Sequence, residues 1–310
     1  MSLMFYRPLI FLGNMRSHAQ RILSWYAQHG RDLPWRRTTD PYALFMSELM
    51  LQQTQVDRVI PLWQNWLKLF PNWKALAEAK TADIIQAWAG LGYNRRALYA
   101  REAAQHIKVH GLPSTEVEWL SIKGVGPYMA AALAAFIQHE RTLVIDTNIR
   151  RVIGRAFLQI AFPAPTDDVA IRTCLASLVP TRGKNWDIPQ ALRDIASAHC
   201  FHRRPDCSHC PLASICLSRQ FFLSNPDAKK IQQASREKIH EEKEFPDRIY
   251  RGRILKLVRE YGKYKIAHLG AQIDPHFSIR DQEWVEKMVQ RMLKDGLVEK
   301  TGGCIHLPKS

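Results

Sequence analysis

The chain is organised around residues 120–151, LSIKGVGPYMAAALAAFIQHERTLVIDTNIRR. Gly124-Val125-Gly126 predicts a tight turn, because two glycines permit backbone angles that other side chains forbid. Pro127 then favours the first turn of a helix, where its missing N–H costs nothing, and an apolar run downstream ends at Asp146. Backbone N–H groups in such a turn, and at the helix N-terminus after it, can hold a phosphate without reading a base. The glycines alone fit either a phosphate-contacting hairpin or an ordinary helix–turn–helix.

Length and charge limit what the rest of the chain can be. The 310 residues are 46% hydrophobic, which suits two domains, or a large and a small one, each with its own core. The formal net charge of +15 makes a polyanion the natural partner, and nucleic acid or an anionic membrane would both satisfy it. The sequence has no apolar run of about 18 residues, which excludes a membrane-spanning helix.

A second informative stretch is a helix that Pro41 opens. Its apolar residues recur at helical spacing and predict a buried stripe, and Leu44 and Leu51 make the adjacent face apolar as well. Glu48 lies on that second face, so we expect its carboxyl group to be desolvated and to keep a proton available near neutrality. The alternative is a solvated surface charge. The residues of the stripe are Tyr42, Phe45, Met46, Leu49 and Met50.

A glycine-rich loop occupies residues 90–96, GLGYNRR. A planar side chain at Tyr93 and two arginines in such a loop suit insertion into DNA and contact with phosphates. The alternative is a helix C-cap followed directly by the start of a new helix.

Four cysteines fall within one short segment with the spacing C-x6-C-x2-C-x5-C. Four thiols this close either bind a metal or form two disulfides, and the basic, intracellular character of the chain disfavours disulfides. By ligand chemistry alone, four cysteines fit zinc or a [4Fe–4S] cluster. These cysteines are Cys200, Cys207, Cys210 and Cys216.

The C-terminal part differs in composition from the rest. Residues 221–245 turn polar and charged and are interpreted as a linker. Residues 246–308 predict three helices and a β-hairpin with a Gly302-Gly303 turn, a winged-helix-like domain. Such modules often bind DNA through their third helix, here 282–294. The alternative is a protein-docking or packing role.

Several of these stretches together resemble the helix-hairpin-helix DNA glycosylases of the endonuclease III and MutY superfamily. The glycine hairpin followed by VIDTNIRR resembles their hairpin and aspartate loop, and SELMLQQTQV at 47–56 closely matches a MutY signature. The cysteine spacing matches the superfamily's cluster motif, and the resemblance spans roughly residues 18–218. It implies a mostly α fold: a helix-hairpin-helix glycosylase core of two helical lobes at 15–220, with an iron–sulfur loop at 200–216, before the linker and the winged-helix-like domain.

The resemblance also implies catalytic roles. Glu48 would be the general acid that protonates the departing base, and Asp146 would steady positive charge on the sugar. Without the resemblance, Asp146 reads as a helix N-cap. Bifunctional relatives carry a Schiff-base lysine after the hairpin proline, whereas this chain has Tyr128, so we expect base excision by water without efficient strand cutting.

DNA contacts and a cofactor follow from the same resemblance. The four cysteines would hold a structural [4Fe–4S] cluster whose loop presents Arg203 and Arg204 to phosphates. Asn148 would fix the aspartate loop. MutY proteins usually have a tyrosine at the place of Asn94 and a Nudix-like C-terminal domain that checks for 8-oxoguanine, and the chain departs from both patterns. The remaining residues expected at DNA are Arg36, Gln52, Gln53, Gln55, Tyr93, Arg95, Gly124 and Gly126.

The leading hypothesis is a monofunctional DNA glycosylase that removes adenine mispaired with guanine or 8-oxoguanine. An alternative is excision of thymine or uracil opposite guanine, which Tyr128, Asn94 and the missing Nudix-like domain favour. A further alternative is a non-catalytic DNA-binding protein on the same scaffold. The expected partner is double-stranded DNA with a mismatched or damaged base; we expect a cytoplasmic monomer, nucleoid-associated if bacterial, with no membrane attachment.

Overall fold

A computed structural model describes residues 14–181, 186–228, 240 and 243–309. These residues are mostly helical, with three short strands near the C-terminus, as the expected fold class requires. The helices are α1 (Met15–His29), α2 (Pro41–Leu51), α3 (Val56–Leu69), α4 (Trp73–Glu78), α5 (Thr81–Ala87), α6 (Arg95–His110), α7 (Glu116–Ser121), α8 (Pro127–Ile137), α9 (Thr147–Phe157), α10 (Asp168–Leu178), α11 (Asp187–Ala198), α12 (Arg219–Ser224), α13 (Asp247–Tyr261), α14 (Leu269–Ile273) and α15 (Gln282–Lys294). The strands are β1 (Lys263–Lys265), β2 (Glu299–Thr301) and β3 (Cys304–His306).

The described residues fall into two compact units. The first unit contains 14–37, 114–120, 126–181 and 186–228, and the second contains 38–113, 121–125 and the described residues from 240 onward. The predicted glycosylase core at 15–220 is therefore distributed over both units.

The first unit is built around α1, α9, α10 and α11. Each of these helices turns apolar residues inward, and the burial of a continuous aliphatic cluster stabilises the unit. Its fully buried centre includes Ile22, Ile149, Ile153, Leu175 and Leu192. Because α9 and α11 both pack into this cluster, it fixes the positions of the polar side chains that they carry.

In the second unit, α2 is surrounded by aromatic side chains. Pro41 begins the helix as predicted, and the Asp40 carboxylate accepts hydrogen bonds from the N–H groups of Tyr42 and Ala43. The indole N–H of Trp66 donates to the Tyr42 hydroxyl over 2.9 Å. All five residues of the predicted stripe are buried, so the periodicity identified the inward face of α2 correctly.

The C-terminal residues form three helices and a three-stranded antiparallel sheet in the order β1-β3-β2. The Gly302-Gly303 turn joins β2 to β3, with Lys300 opposite Ile305. The sequence predicts a separate small domain here. The structure instead groups these residues with 38–113, and Ile85 of α5 belongs to the same hydrophobic cluster as Ile254 of α13. Of the predicted linker 221–245, only 221–228, 240 and 243–245 are described, and 221–224 lie in α12.

Candidate active site

Glu48 lies in the middle of α2, within the second unit. Only 6% of the residue is exposed, because both the stripe and the adjacent face of α2 are covered. The expected burial is thus observed, and the alternative of a solvated surface charge does not hold.

Asp146 is the N-cap of α9 in the first unit. Its Oδ1 accepts hydrogen bonds from the backbone N–H groups of Asn148 and Ile149, over 2.8 and 2.7 Å. These two bonds satisfy orphan donors of the first helical turn and fix the carboxylate in place. The capping role, raised above as the alternative, is therefore observed, and it leaves Oδ2 available for other contacts.

The second carboxylate oxygen of Asp146 meets Arg193 of α11. The Nε of Arg193 lies 3.2 Å from Oδ2 of Asp146, and its Nη2 donates to the Tyr128 hydroxyl over 2.6 Å. The guanidinium is also 5.4 Å from the centre of the Tyr128 ring, within cation–π range. The Arg193 side chain is 12% exposed and that of Asp146 20%, so this pairing is shielded more than a surface salt bridge.

Sequence reasoning missed Arg193. The apolar periodicity of α11 places buried Leu192 and Ile195 on its inward side. Periodicity does not indicate which group the adjacent Arg193 binds. Tyr128, by contrast, was singled out, and it packs beside Ala131 and Val144 at the start of α8.

Arg36 was expected at DNA, but the structure gives it another role. Its Nη1 and Nη2 pair with both oxygens of Asp194 over 2.8 and 3.0 Å, and its Nε donates to Gln190. Arg31 adds a further bond to the same carboxylate. Burial alone would raise the pKa of Asp194, which is 1% exposed, yet hydrogen bonds from Arg36 and Arg31 hold it below its usual value. This geometry holds the Arg36 guanidinium inside the first unit and does not support a DNA contact.

Arg96 likewise serves as a scaffold rather than a surface cation. It is buried; its Nη1 donates to the carbonyls of Leu49 and Gln52, and its Nη2 donates to those of Leu91 and Gly92. Burial lowers the pKa of Arg96 to about 10. The Arg96 side chain thereby connects the end of α2 to the glycine loop. The expectation that both arginines of this loop face phosphates is therefore wrong for Arg96.

The predicted contact residues of the second unit come together around this scaffold. One cavity is lined by Gln52, Gln53, Tyr93, Asn94 and Arg95, and Gln55 lines a neighbouring cavity. Gln53 and Tyr93 have φ angles of 56° and 45°, in the left-handed region that side chains rarely adopt. Strained residues of this kind are characteristic of functional sites.

The two hairpin glycines differ in what they require. Gly124 has a φ of 89°, and a Cβ there would lie 2.7 Å from the Tyr99 ring, so only glycine fits. Gly126 has a φ of −92° and precedes α8 as its N-cap, with open space where a Cβ would stand. The turn is therefore dictated by Gly124, whereas Gly126 leaves the N-terminus of α8 uncovered.

The four predicted metal-ligating cysteines line one pocket in the first unit. In the structure each of the four is a free thiol, and none is paired in a disulfide. Burial raises the pKa of Cys210 to about 12 and that of Cys216 to about 11, so a bound metal would be needed to hold them as thiolates at neutral pH.

Arg155 at the end of α9 holds the cysteine loop. This buried guanidinium donates to the carbonyls of Phe201 and His202, and its Nη1 lies 3.5 Å from the Cys200 sulfur. Arg151, one turn earlier, donates to the Cys200 carbonyl and to Asn148 Oδ1. Neither arginine was singled out from the sequence as a loop anchor.

Arg203 and Arg204 are exposed on the cysteine loop, as expected for residues that face a large ligand. Arg204 forms a 2.6 Å ion pair with Asp227, in which both side chains are exposed. Such pairs contribute little stability and can be exchanged for a phosphate. The DNA contacts of both residues stay predictions.

Comparison with known proteins agrees with this architecture. Residues 46–178 match the model of the HhH-GPD superfamily base excision DNA repair proteins. The chain is 33% identical over 285 residues to the adenine DNA glycosylase of Mycolicibacterium smegmatis, covering 90% of this chain and 92% of that protein. It therefore belongs to the adenine DNA glycosylase family within the HhH-GPD superfamily.

Solved structures support the same fold. A thermostable thymine-DNA glycosylase superimposes with a TM-score of 0.62 at 24% identity, covering 67% of this chain and 98% of that one. An endonuclease III trapped as a covalent intermediate with DNA gives 0.57 at 18% identity, covering 69% and 100%. At these identities the likeness concerns the fold alone. In the described part of the chain, no helix is long and apolar enough to cross a membrane.

Proposed function

We propose that the protein is a monofunctional DNA glycosylase in base excision repair. It would hydrolyse the N-glycosidic bond of adenine mispaired with guanine or 8-oxoguanine, with double-stranded DNA as its partner. To reach that bond, the enzyme would flip the adenine out of the stack and offset the unstacking energy with contacts to the backbone.

The observation that carries this proposal is the extent of the match to an adenine DNA glycosylase. Residues before 246 make up about four fifths of the chain, whereas the match covers 90% of it. The similarity therefore continues into the C-terminal segment, beyond residues 18–218 where the sequence motifs end.

The surroundings of each carboxyl group suit a different role. Buried Glu48 would donate a proton to a ring nitrogen of adenine as the bond to C1′ breaks and its electrons leave with the base. Asp146, fixed by two backbone N–H groups, would stabilise the cationic sugar. Water would then add to C1′ and lose its proton to a carboxylate. Tyr128 offers no amine for a Schiff base, so the strand would stay intact.

We also propose that Cys200, Cys207, Cys210 and Cys216 hold a [4Fe–4S] cluster. The apolar pocket that they share and the Arg155 guanidinium beside Cys200 support this assignment. The cluster would supply structural cohesion to the loop that carries Arg203 and Arg204. Measured iron and acid-labile sulfide in anaerobically purified protein would test it, and stoichiometric zinc in their place would contradict it.

Thymine or uracil opposite guanine is the second candidate substrate. Asn94 favours it, because this residue stands where MutY proteins usually have a tyrosine beside the damaged base. Tyr128 is compatible with either activity and does not discriminate.

Single-turnover excision would decide between these functions. We would use four duplexes, carrying A opposite 8-oxoguanine, A opposite G, T opposite G and U opposite G, with Glu48→Gln and Asp146→Asn as controls. The proposal expects adenine release that both substitutions abolish, and strand breaks only after alkali treatment. Thymine or uracil release would favour the second candidate. Tight binding without release from any duplex would favour a non-catalytic DNA-binding protein.

A further inference from the structure

We propose that α13, the first helix of the C-terminal segment, is part of the DNA-binding surface and that the third helix, α15, is not. The contact would be to the sugar–phosphate backbone, through Arg248 and the open backbone at Gly252. This inference rests on the proposed function in taking DNA as the ligand, and it replaces the expectation that the segment binds DNA through residues 282–294.

Two adjoining cavities of the second unit carry the inference. The first, of about 430 Å³, lies between α13 and the ends of α2 and the glycine loop, and the second, of about 580 Å³, lies on the Gln55 side. Both are lined by Gln53, Tyr93, Asn94 and Arg248. The guanidinium of Arg248 lies 5.6 Å from the centre of the Tyr93 ring. A residue of α13 therefore belongs to the same surface as the residues predicted to contact DNA.

The charge of this surface suits a polyanion. The two cavities are lined by six arginines, and Asp295 is the only acid among their described lining residues. Asp295 lies 3.2 Å from Arg95 and 3.7 Å from Arg251, so it offsets part of their charge. Arg96 and Arg259 are bonded to carbonyl oxygens within the unit, which leaves four arginines to face a ligand. These four still outnumber the single acid, so the surface favours a phosphate backbone. They are Arg58, Arg95, Arg248 and Arg251.

Gly252 supplies a second, independent indication. It lies inside α13, where glycine is less favourable than alanine, and a Cβ at this position would meet no atom within 4 Å. Packing therefore does not explain the glycine. Gly252 lines the second cavity, and its missing side chain leaves the helix backbone open there. An open helix backbone permits the close approach of a DNA backbone.

The position of α13 against the loops is fixed by a buried contact. Arg259 donates to the Ile85 carbonyl over 2.6 Å and to Asn94 Oδ1 over 3.3 Å. The helix is thus anchored on α5 and on the glycine loop itself. Asp295, the C-cap of α15, lines the first cavity, and no described residue within Gln282–Lys294 lines either one.

Charge reversals on different faces of the segment test the inference in the full-length protein. Arg248→Glu alters the proposed surface. Lys287→Glu makes a charge reversal on α15 and Lys300→Glu makes one on β2, and neither lysine lines either cavity. Gly252→Leu fills the open space without changing charge. Binding to a duplex with a tetrahydrofuran abasic analogue opposite guanine would be followed by fluorescence anisotropy at several KCl concentrations, with thermal unfolding to verify folding.

The inference expects Arg248→Glu to weaken binding about tenfold or more and to lower the slope of log affinity against log salt by about one. Gly252→Leu should weaken binding several-fold without loss of thermal stability, and both lysine variants should bind within twofold of wild type. Unchanged binding by Arg248→Glu, or a loss confined to Lys287→Glu, would overturn it. If the wild-type protein released no base from any duplex while the Arg248→Glu defect persisted, the proposed function would fail and this inference would stand.

Discussion

The Arg193 guanidinium lies 3.2 Å from the Asp146 carboxylate, on the oxygen that does not cap α9. Because the same guanidinium holds the Tyr128 hydroxyl, one side chain fixes the distance between a proposed catalytic carboxylate and a proposed pocket residue. We expect Arg193→Met to slow single-turnover excision roughly tenfold to a hundredfold, since small displacements of reacting groups are costly.

Two further measurements distinguish a loss of positioning of Asp146 and Tyr128 from a general loss of structure in Arg193→Met. Arg193→Lys keeps a positive charge but can donate to fewer partners, so it should recover part of the rate. DNA affinity should stay within twofold of wild type for both variants. Equal rates for wild type and Arg193→Met would show that the guanidinium is a packing group only.

Asp146 has two roles that substitutions can separate. Asparagine caps helices about as well as aspartate, so Asp146→Asn should keep the cap and lose only the ion pair with Arg193. Asp146→Ala should cost about 1 kcal/mol more than Asp146→Asn, because the N–H groups of Asn148 and Ile149 also lose their acceptor. Both variants should lose roughly a hundredfold to a thousandfold in excision rate. Denaturant unfolding and single-turnover kinetics check the two effects, and an active Asp146→Asn protein would refute the assigned role.

The two hairpin glycines provide a matched pair. Gly124→Ala should destabilise the protein by more than about 1 kcal/mol and weaken DNA binding, because its φ is positive and its Cβ would clash with Tyr99. Gly126→Ala should leave the free energy of unfolding nearly unchanged, since its φ is negative and the space is open. Comparable melting temperatures for the two variants would contradict the geometry of the turn.

Asp194 predicts a defined pH dependence of stability. Its pKa in the folded protein lies below the unfolded value of about 3.9, so its contribution is complete above that pH and is lost as the pH falls through the folded value. Asp194→Asn should therefore cost roughly 3–5 kcal/mol at pH 7, where Arg36 is left without a carboxylate, and less below about pH 4. Asp32→Asn removes an exposed pair with Arg37 and should have no measurable effect at either pH. A difference between wild type and Asp194→Asn that does not depend on pH would contradict this account.

Serine substitutions at two cysteines test the proposed cluster site, because both make the same small change in side-chain volume. Cys207→Ser should lower the iron content and the yield of folded protein, because it removes one of four proposed cluster ligands. Cys304→Ser, at a partly exposed cysteine in the C-terminal hairpin, should retain full iron. Loss of iron in both variants would point to a general folding defect instead of a specific ligand.

Periodicity and local chemistry made much of this fold predictable. The inward stripe of α2 and the bounds of α15 follow from apolar spacing, and the turn at Gly124 follows from the conformational freedom of glycine. The pairing of arginines was not predictable. Arg36, Arg96 and Arg193 each bind groups far away in sequence, and an arginine looks the same in a sequence whether it faces a carbonyl, a carboxylate or a phosphate.

The anchoring of the cysteine loop by α9 connects two regions that would otherwise be independent. Asp146 caps one end of this helix, and Arg155 grips the loop at the other, about 14 Å away along the axis. An oxidant that loosened the cysteine loop would remove the contacts that hold the C-terminal end of α9, the helix whose N-terminal end carries Asp146. We therefore expect oxidation of this protein to lower the excision rate before it lowers the helical content.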